Sequence, residues 1–271
     1  MEQEKKSSSI LENSVVLCDI HDGIARVTLN RARASNTINL ELAAQLAAVS
    51  LRCAQDPSVR VVLMSGSGDN FCAGGDLKAF AAEERLPAHL LEVTSQFHSA
   101  ITTFAHMDAP LVAAVHGFVA GAGLALACAA DVTIACRSAK FLFAYTKVGL
   151  SPDGGASHFL PRLIGRRRAM HLALTNDVLS AEDALRWGLV SEVVADDQLI
   201  SRATQVSLRL AAGPTHAFGV TKRLLDGSWM QTLEEQLRME SRSIADLAGL
   251  PDGREGVASF IERRQPSFRG R

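Results

Sequence analysis

Two short glycine-bearing segments, Phe71-Cys72-Ala73-Gly74-Gly75-Asp76-Leu77 and His116-Gly117-Phe118-Val119-Ala120-Gly121-Ala122-Gly123-Leu124, each follow a run that reads as a buried strand. Two such turns can aim backbone N–H groups at one point, which is how a protein holds a carbonyl oxygen as it becomes an oxyanion. The plain alternative is a pair of ordinary strand-to-helix turns that use glycine for positive φ. A nucleotide fold does not fit: Leu126 stands where a third glycine belongs after Gly121-Ala122-Gly123, and no Walker lysine follows either turn. By itself Asp153, before Gly154-Gly155, reads as a turn or helix cap. His98, beside the apolar stripe of Phe97 and Ile101, reads as a core-edge histidine bonded to a carbonyl. Cys72 is a nucleophile, or a small buried thiol with no basic partner visible in the sequence.

The elements that must position these groups are short and repetitive. Runs at 59–64 and 111–115 read as buried strands, and the alanine-rich stretch from Leu124 to Ala130 predicts a helix whose positive end adds to the second turn. Val15 to Ile20 and Ile24 to Leu29 flank Asp22-Gly23, a hairpin signal, and Leu40 to Gln55 has helical spacing before Asp56-Pro57 stops it. The same strand, strand, helix unit returns with the helix carrying Leu90, Val93, Phe97, Ile101 and Phe104, and again with Val132 to Ala135 and Phe141 to Phe143. Repeated ββα units predict an α/β spiral of sheets surrounded by helices. After residue 156 the pattern turns helical: Ser180-Ala181-Glu182-Asp183 reads as a capping box, with amphipathic stretches near 197–211, 231–247 and 253–264. The expected division is a loose tail over 1–12, a ββα core over 13–195 and a C-terminal helical region over 196–271 that packs on the core or on another copy of the chain.

Composition narrows the function. The chain of 271 residues is 47% hydrophobic, enough for a full core, and its net charge of −1 gives no general attraction to nucleic acid or to an anionic membrane. Arg166-Arg167-Arg168 reads as a solvated helix face or a subunit contact. Five cysteines without C-x-x-C spacing, and no histidine pair at zinc spacing, predict neither disulfides nor a structural metal. A polar N-terminus and the lack of any 18-residue apolar run predict a protein of a reducing, cytoplasmic compartment without a membrane anchor.

Four motifs carry a resemblance: residues 71–77, Ala113-Ala114-Val115-His116-Gly117 through Gly123, Pro152-Asp153-Gly154-Gly155-Ala156, and Ala184-Leu185-Arg186-Trp187-Gly188-Leu189-Val190. Together, over roughly residues 13–268, the chain resembles the enoyl-CoA hydratase/isomerase (crotonase) superfamily. The resemblance implies a crotonase-like ββα spiral, a C-terminal trimerisation region, a homotrimer or dimer of trimers, and an acyl-CoA thioester substrate. It implies no cofactor beyond the coenzyme A of that substrate, and no metal.

Carried over residue by residue, the oxyanion amides fall on Gly75 and on Ala122, where most relatives have glycine. The substrate-binding set falls on Asn36, Ile38, Ala73, Gly74, Asp76, Leu77, Lys78, Val119, Gly121, Tyr145 and Pro152. Lys78, Arg263 and Arg264 become candidates for the CoA phosphates, and the segment Asn30 to Ile38, which lacks the relatives' usual proline after Asn30-Arg31, for the adenine. The two glutamates of hydrating relatives correspond to Ala125 and Tyr145, neither of which transfers a proton at neutral pH. Asp153 corresponds to the catalytic aspartate of dienoyl-CoA and ring-epoxide isomerases, and residues 253–268 also resemble the latter. Aryl-CoA dehalogenases place a histidine at His98, a tryptophan at Tyr145 and a nucleophilic aspartate at Asp153. The expectation is therefore an acyl-CoA isomerase, with an atypical hydratase, a dehalogenase-like hydrolase and a catalytically silent acyl-CoA- or RNA-binding relative as alternatives.

Overall fold

The computed structural model describes residues 14–270; the expected tail over 1–12 lies outside them. The strands are β1 (Val16–His21), β2 (Ile24–Leu29), β3 (Val61–Gly66), β4 (Leu111–Val115), β5 (Phe118–Ala120), β6 (Val132–Cys136), β7 (Lys140–Leu142), β8 (Leu179–Ser180) and β9 (Glu192–Val194). The helices of the core are α1 (Leu40–Gln55), α2 (Leu77–Ala81), α3 (Leu86–His106), α4 (Ala122–Cys128), α5 (Ala156–Ile164), α6 (Arg166–Thr175) and α7 (Ala181–Trp187). Beyond them run α8 (Leu199–Ala211), α9 (Thr215–Gly227), α10 (Leu233–Gly249) and α11 (Pro251–Ile261).

Two sheets result, in the orders β1-β2-β3-β4-β6-β9 and β5-β7-β8. β1 and β2 are antiparallel around Asp22 and Gly23, both at positive φ, while β2 to β9 of the larger sheet pair in parallel. The β1–β2 hairpin stays in the larger sheet, while the later rounds β4–β5 and β6–β7 give one strand to each sheet, the spiral that the repeat predicts. β4 is buried along its whole length, as befits a parallel strand covered on both faces; α8 packs on it and on β3, and α1 and α3 pack against one another.

The strands and helices that the sequence names are present, and two departures have a clear physical cause. The strand expected from residue 59 begins at Val61, because Val59 and Arg60 are used in a turn in which both Arg60 and Val61 amides bond to Gly23 O. Helix α9 was not expected; Gly213-Pro214 and Gly219 break its pattern. Gly219 is there for close approach, since a Cβ would collide with Asp108 in the loop before β4. No helix among the described residues is long and apolar enough to cross a membrane.

Candidate active site

Backbone pairing brings the two glycine turns side by side. Cys72 N donates to Phe118 O at 3.2 Å and Ala120 N to Cys72 O at 3.0 Å, so the first turn runs as an added strand along β5. On its other flank Ile38 N bonds Gly74 O at 2.8 Å and Asp76 N bonds Ile38 O at 2.9 Å. That parallel bridge uses the groups on either side of Gly75 and leaves its own N–H facing away from Ile38. Gly74 has φ 109° and Gly121 φ 50°, and a Cβ on Gly121 would lie 3.4 Å from Gly74 Cα. Only glycine allows that conformation and that contact. Ala122 follows as the first residue of α4, where an amide has no intrahelical acceptor. Among the described residues neither Gly75 N nor Ala122 N donates to a protein acceptor, and both residues line one cavity of about 400 Å³.

The opposite wall is the loop from β7 to α5. Ala144 at φ 65° turns the chain, Tyr145 packs edge-on against Phe143, and Gly149 at φ 74° turns it back. The loop closes on itself: the Tyr145 hydroxyl donates to Asp153 Oδ1 at 2.6 Å. Burial pushes the Tyr145 hydroxyl well above its ordinary range, and the Asp153 charge beside it pushes in the same direction, so the phenol stays protonated. Asp153 does not cap α5; the N-cap is Gly155, with no side-chain bond. Its Oδ2 has no hydrogen bond to protein among the described residues. Asp153 is the only carboxylate among the residues lining the cavity, whose walls are otherwise mostly apolar, with Phe80, Leu90, Val93 and Val148 contributing.

Behind the loop, Gly154 N donates to His98 Nε2 at 2.9 Å. His98 does not line the cavity, and its partner is an amide where the sequence suggested a carbonyl. Ala125 is fully buried beneath Gly154 and does not line the cavity either. Cys72 is fully buried, and burial pushes its thiol up to about 12, which removes the thiolate a nucleophile needs.

The structure brings together Ile38, Ala73, Gly74, Gly75, Leu77, Gly121, Ala122, Tyr145, Pro152 and Asp153 around the cavity. Four residues of the expected binding set lie outside its lining and brace it or stand apart. Buried Asn36 donates to Ser67 O and Asn70 O and accepts from Arg31 N, tying the 30–38 loop to the first turn. Asp76 caps α2 through Ala79 N and pairs with Arg31 at 2.9 Å. Burial alone would raise its pKa, but those bonds win and hold it below the ordinary carboxylate value. Val119 is buried in the bridge to Cys72, and Lys78 is exposed on α2. Arg264 is committed to Glu255, at 2.9 Å from Nη2 to Oε2, and to Glu262, while Arg263 stands exposed at φ 54°. Lys147, at the cavity in the loop after β7, went unnoticed in the sequence, as did the apolar wall from α3. The stripe Leu90–Val93 reads there as ordinary core, and nothing local distinguishes a cavity wall from a packed face. No group of three or more His, Cys, Asp or Glu residues among the described residues could hold a metal ion.

The chain is similar to known proteins in both sequence and fold. Residues 19–271 match the sequence pattern of the family described as Enoyl-CoA hydratase/isomerase. The chain is 39% identical over 259 residues to the 1,2-epoxyphenylacetyl-CoA isomerase of Escherichia coli (strain K12), covering 94% of this chain and 98% of that one. It is 30% identical over 248 residues to 4-chlorobenzoyl coenzyme A dehalogenase-2 of an Arthrobacter species, covering 91% and 90%. Among solved structures, an enoyl-CoA hydratase/isomerase from Mycobacterium abscessus superposes with a TM-score of 0.90 at 37% identity, over 94% of this chain and all of that one.

Proposed function

The chain belongs to the enoyl-CoA hydratase/isomerase family of the crotonase superfamily, and from that premise we propose that it isomerises an unsaturated or strained acyl-CoA thioester. For an unsaturated substrate, Asp153 removes a proton from a carbon conjugated with the thioester carbonyl. The electron pair moves onto the carbonyl oxygen, where the Gly75 and Ala122 amides hold the enolate. The carboxyl then returns the proton to another carbon of the conjugated chain, so the double bond moves and nothing is gained or lost. The reaction needs no cofactor besides the CoA already on the substrate.

The observation that carries this reading is a single carboxylate in the cavity wall, with one oxygen held by a neutral Tyr145 and the other without a protein partner. Hydration in this family's usual manner calls for two glutamates, and Ala125 and Tyr145 stand in their places. The similarity to a dehalogenase supports a second reading, with Asp153 as nucleophile and His98 as base. Against it, the His98 Nε2 lone pair is already taken by Gly154. Lys78, exposed on α2, and Lys147, in the cavity lining, are candidates for the CoA phosphates; Arg263 would serve them more readily than Arg264, which Glu255 and Glu262 already hold.

The test is turnover of a panel of enoyl, dienoyl, ring and aryl CoA thioesters by the parent and by Asp153→Asn. General acid–base groups contribute about 10² to 10⁴ in rate, so the variant should lose that factor in kcat and keep KM within a few fold. Near-normal turnover by the variant would remove Asp153 from the mechanism.

A further inference from the structure

His98 stands behind the Asp153 turn, away from the cavity. It lines a separate cleft of about 270 Å³ with His106, His158 and Phe159, and the two spaces share only the turn between them. An amide can donate but not accept, so the 2.9 Å contact from Gly154 N makes Nε2 the acceptor and leaves the ring proton of the neutral histidine on Nδ1. The nitrogen that would act as a base toward the turn is therefore occupied.

Gly154 is buried at φ 57°, and a Cβ there would run into the ring of Phe97 and lie 3.0 Å from Ala125 Cβ. Phe97 and Ala125 are both fully buried, so the floor under the 153–154 peptide is packed. Among the described residues the Gly154 amide has one side-chain partner, His98, while the Tyr145 hydroxyl also reaches Asp153 O at 3.4 Å. On the other side the Tyr145 hydroxyl holds Asp153 Oδ1. The carboxylate is thus fixed at both ends: through its own oxygen in front, and through the following amide behind.

We propose that His98 is a positioning residue that sets the Asp153 carboxylate through the Gly154 amide, and that it carries no proton in the reaction. The inference rests on reading Asp153 as the catalytic group. Removing the acceptor leaves a buried N–H unpaired, which the turn relieves by moving toward water, and the carboxylate moves with it. Reacting groups misplaced by about 1 Å lose on the order of 10² in rate.

The experiment compares His98→Ala and His98→Gln with the parent and Asp153→Asn on whichever thioester of the panel the parent turns over. Glutamine reaches the Nε2 position with an amide oxygen that accepts the Gly154 N–H, yet it cannot serve as acid or base. Positioning predicts that His98→Ala loses about 10- to 100-fold in kcat with KM within a few fold, while His98→Gln stays within about threefold of the parent. A base or acid role predicts equal losses in both, and that result would overturn the proposal, as would an unimpaired His98→Ala. Asp153→Asn separates the two levels: if it is inactive and His98→Ala is normal, only the positioning role fails. If Asp153→Asn turns over like the parent, the catalytic assignment of Asp153 fails first.

Discussion

Tyr145 and Asp153 lie eight residues apart, and the sequence offers each a role through resemblance without offering their contact. The 2.6 Å bond between them depends on Ala144 taking a left-handed φ and on the loop closing over Gly149, neither of which has a reliable local signal. Once made, the bond has a consequence. A hydrogen bond to a charged group contributes about 1.5 to 3 kcal/mol, so Tyr145→Phe, which keeps the ring against Phe143, should lower kcat about 10- to 100-fold and change KM less. Steady-state kinetics with unchanged kcat would show that Oδ1 needs no donor. Gly75 gives a contrasting lesson. An added Cβ there would meet the Phe80 ring at 2.8 Å. A substitution at Gly75 therefore acts by displacing Phe80, which lines the same cavity, as well as by crowding the amide.

Among the elements, the hairpin, α1, β4 and both glycine turns were legible because each has a local cause: Asp22-Gly23 at positive φ, the Asp56-Pro57 stop, a short continuous apolar run, and glycines where the backbones touch. Helix α9 was not, because its glycine serves a distant contact. That contact makes a measurable linkage. Asp108 takes hydrogen bonds from Arg223 and His216, both at 2.6 Å, across the space that Gly219 leaves open. Burial alone would raise the Asp108 pKa, but the two partners win and hold it below the ordinary value. A depressed carboxylate stabilises the fold above its unfolded pKa near 4, and that contribution is lost as pH falls through the lower folded value. Thermal melting should therefore weaken below about pH 4, and Asp108→Asn should melt lower at neutral pH with a shallower acid decline. Parallel curves for the two proteins would show that Asp108 does not couple α9 docking to pH.

At the scale of the molecule, the ββα spiral was legible from the repeat, whereas the cavity was not. Its walls come from α3, from the β7–α5 loop and from two turns that are neighbours only through long-range pairing. The C-terminal helices leave Trp229, Met230, Leu233, Ile244, Phe260 and Ile261 exposed, more apolar side chains than a lone chain readily shows to water. Such side chains call for cover, and we propose that other copies of the chain supply it as a homotrimer or dimer of trimers: light scattering should give three or six times the chain mass, and a monomer at micromolar concentration would contradict it.

In the proposed reaction Asp153 moves a proton while the two amides hold an enolate, and water takes no part. A single turnover in water enriched in oxygen-18 tests it most directly, by mass spectrometry of the acyl product and of the peptide carrying Asp153. Isomerisation gives a product isobaric with its substrate and no heavy oxygen in either species. Heavy oxygen in the product alone would mean hydration, and heavy oxygen in the Asp153 carboxyl would mean a covalent ester later opened by water; either result would contradict the isomerase.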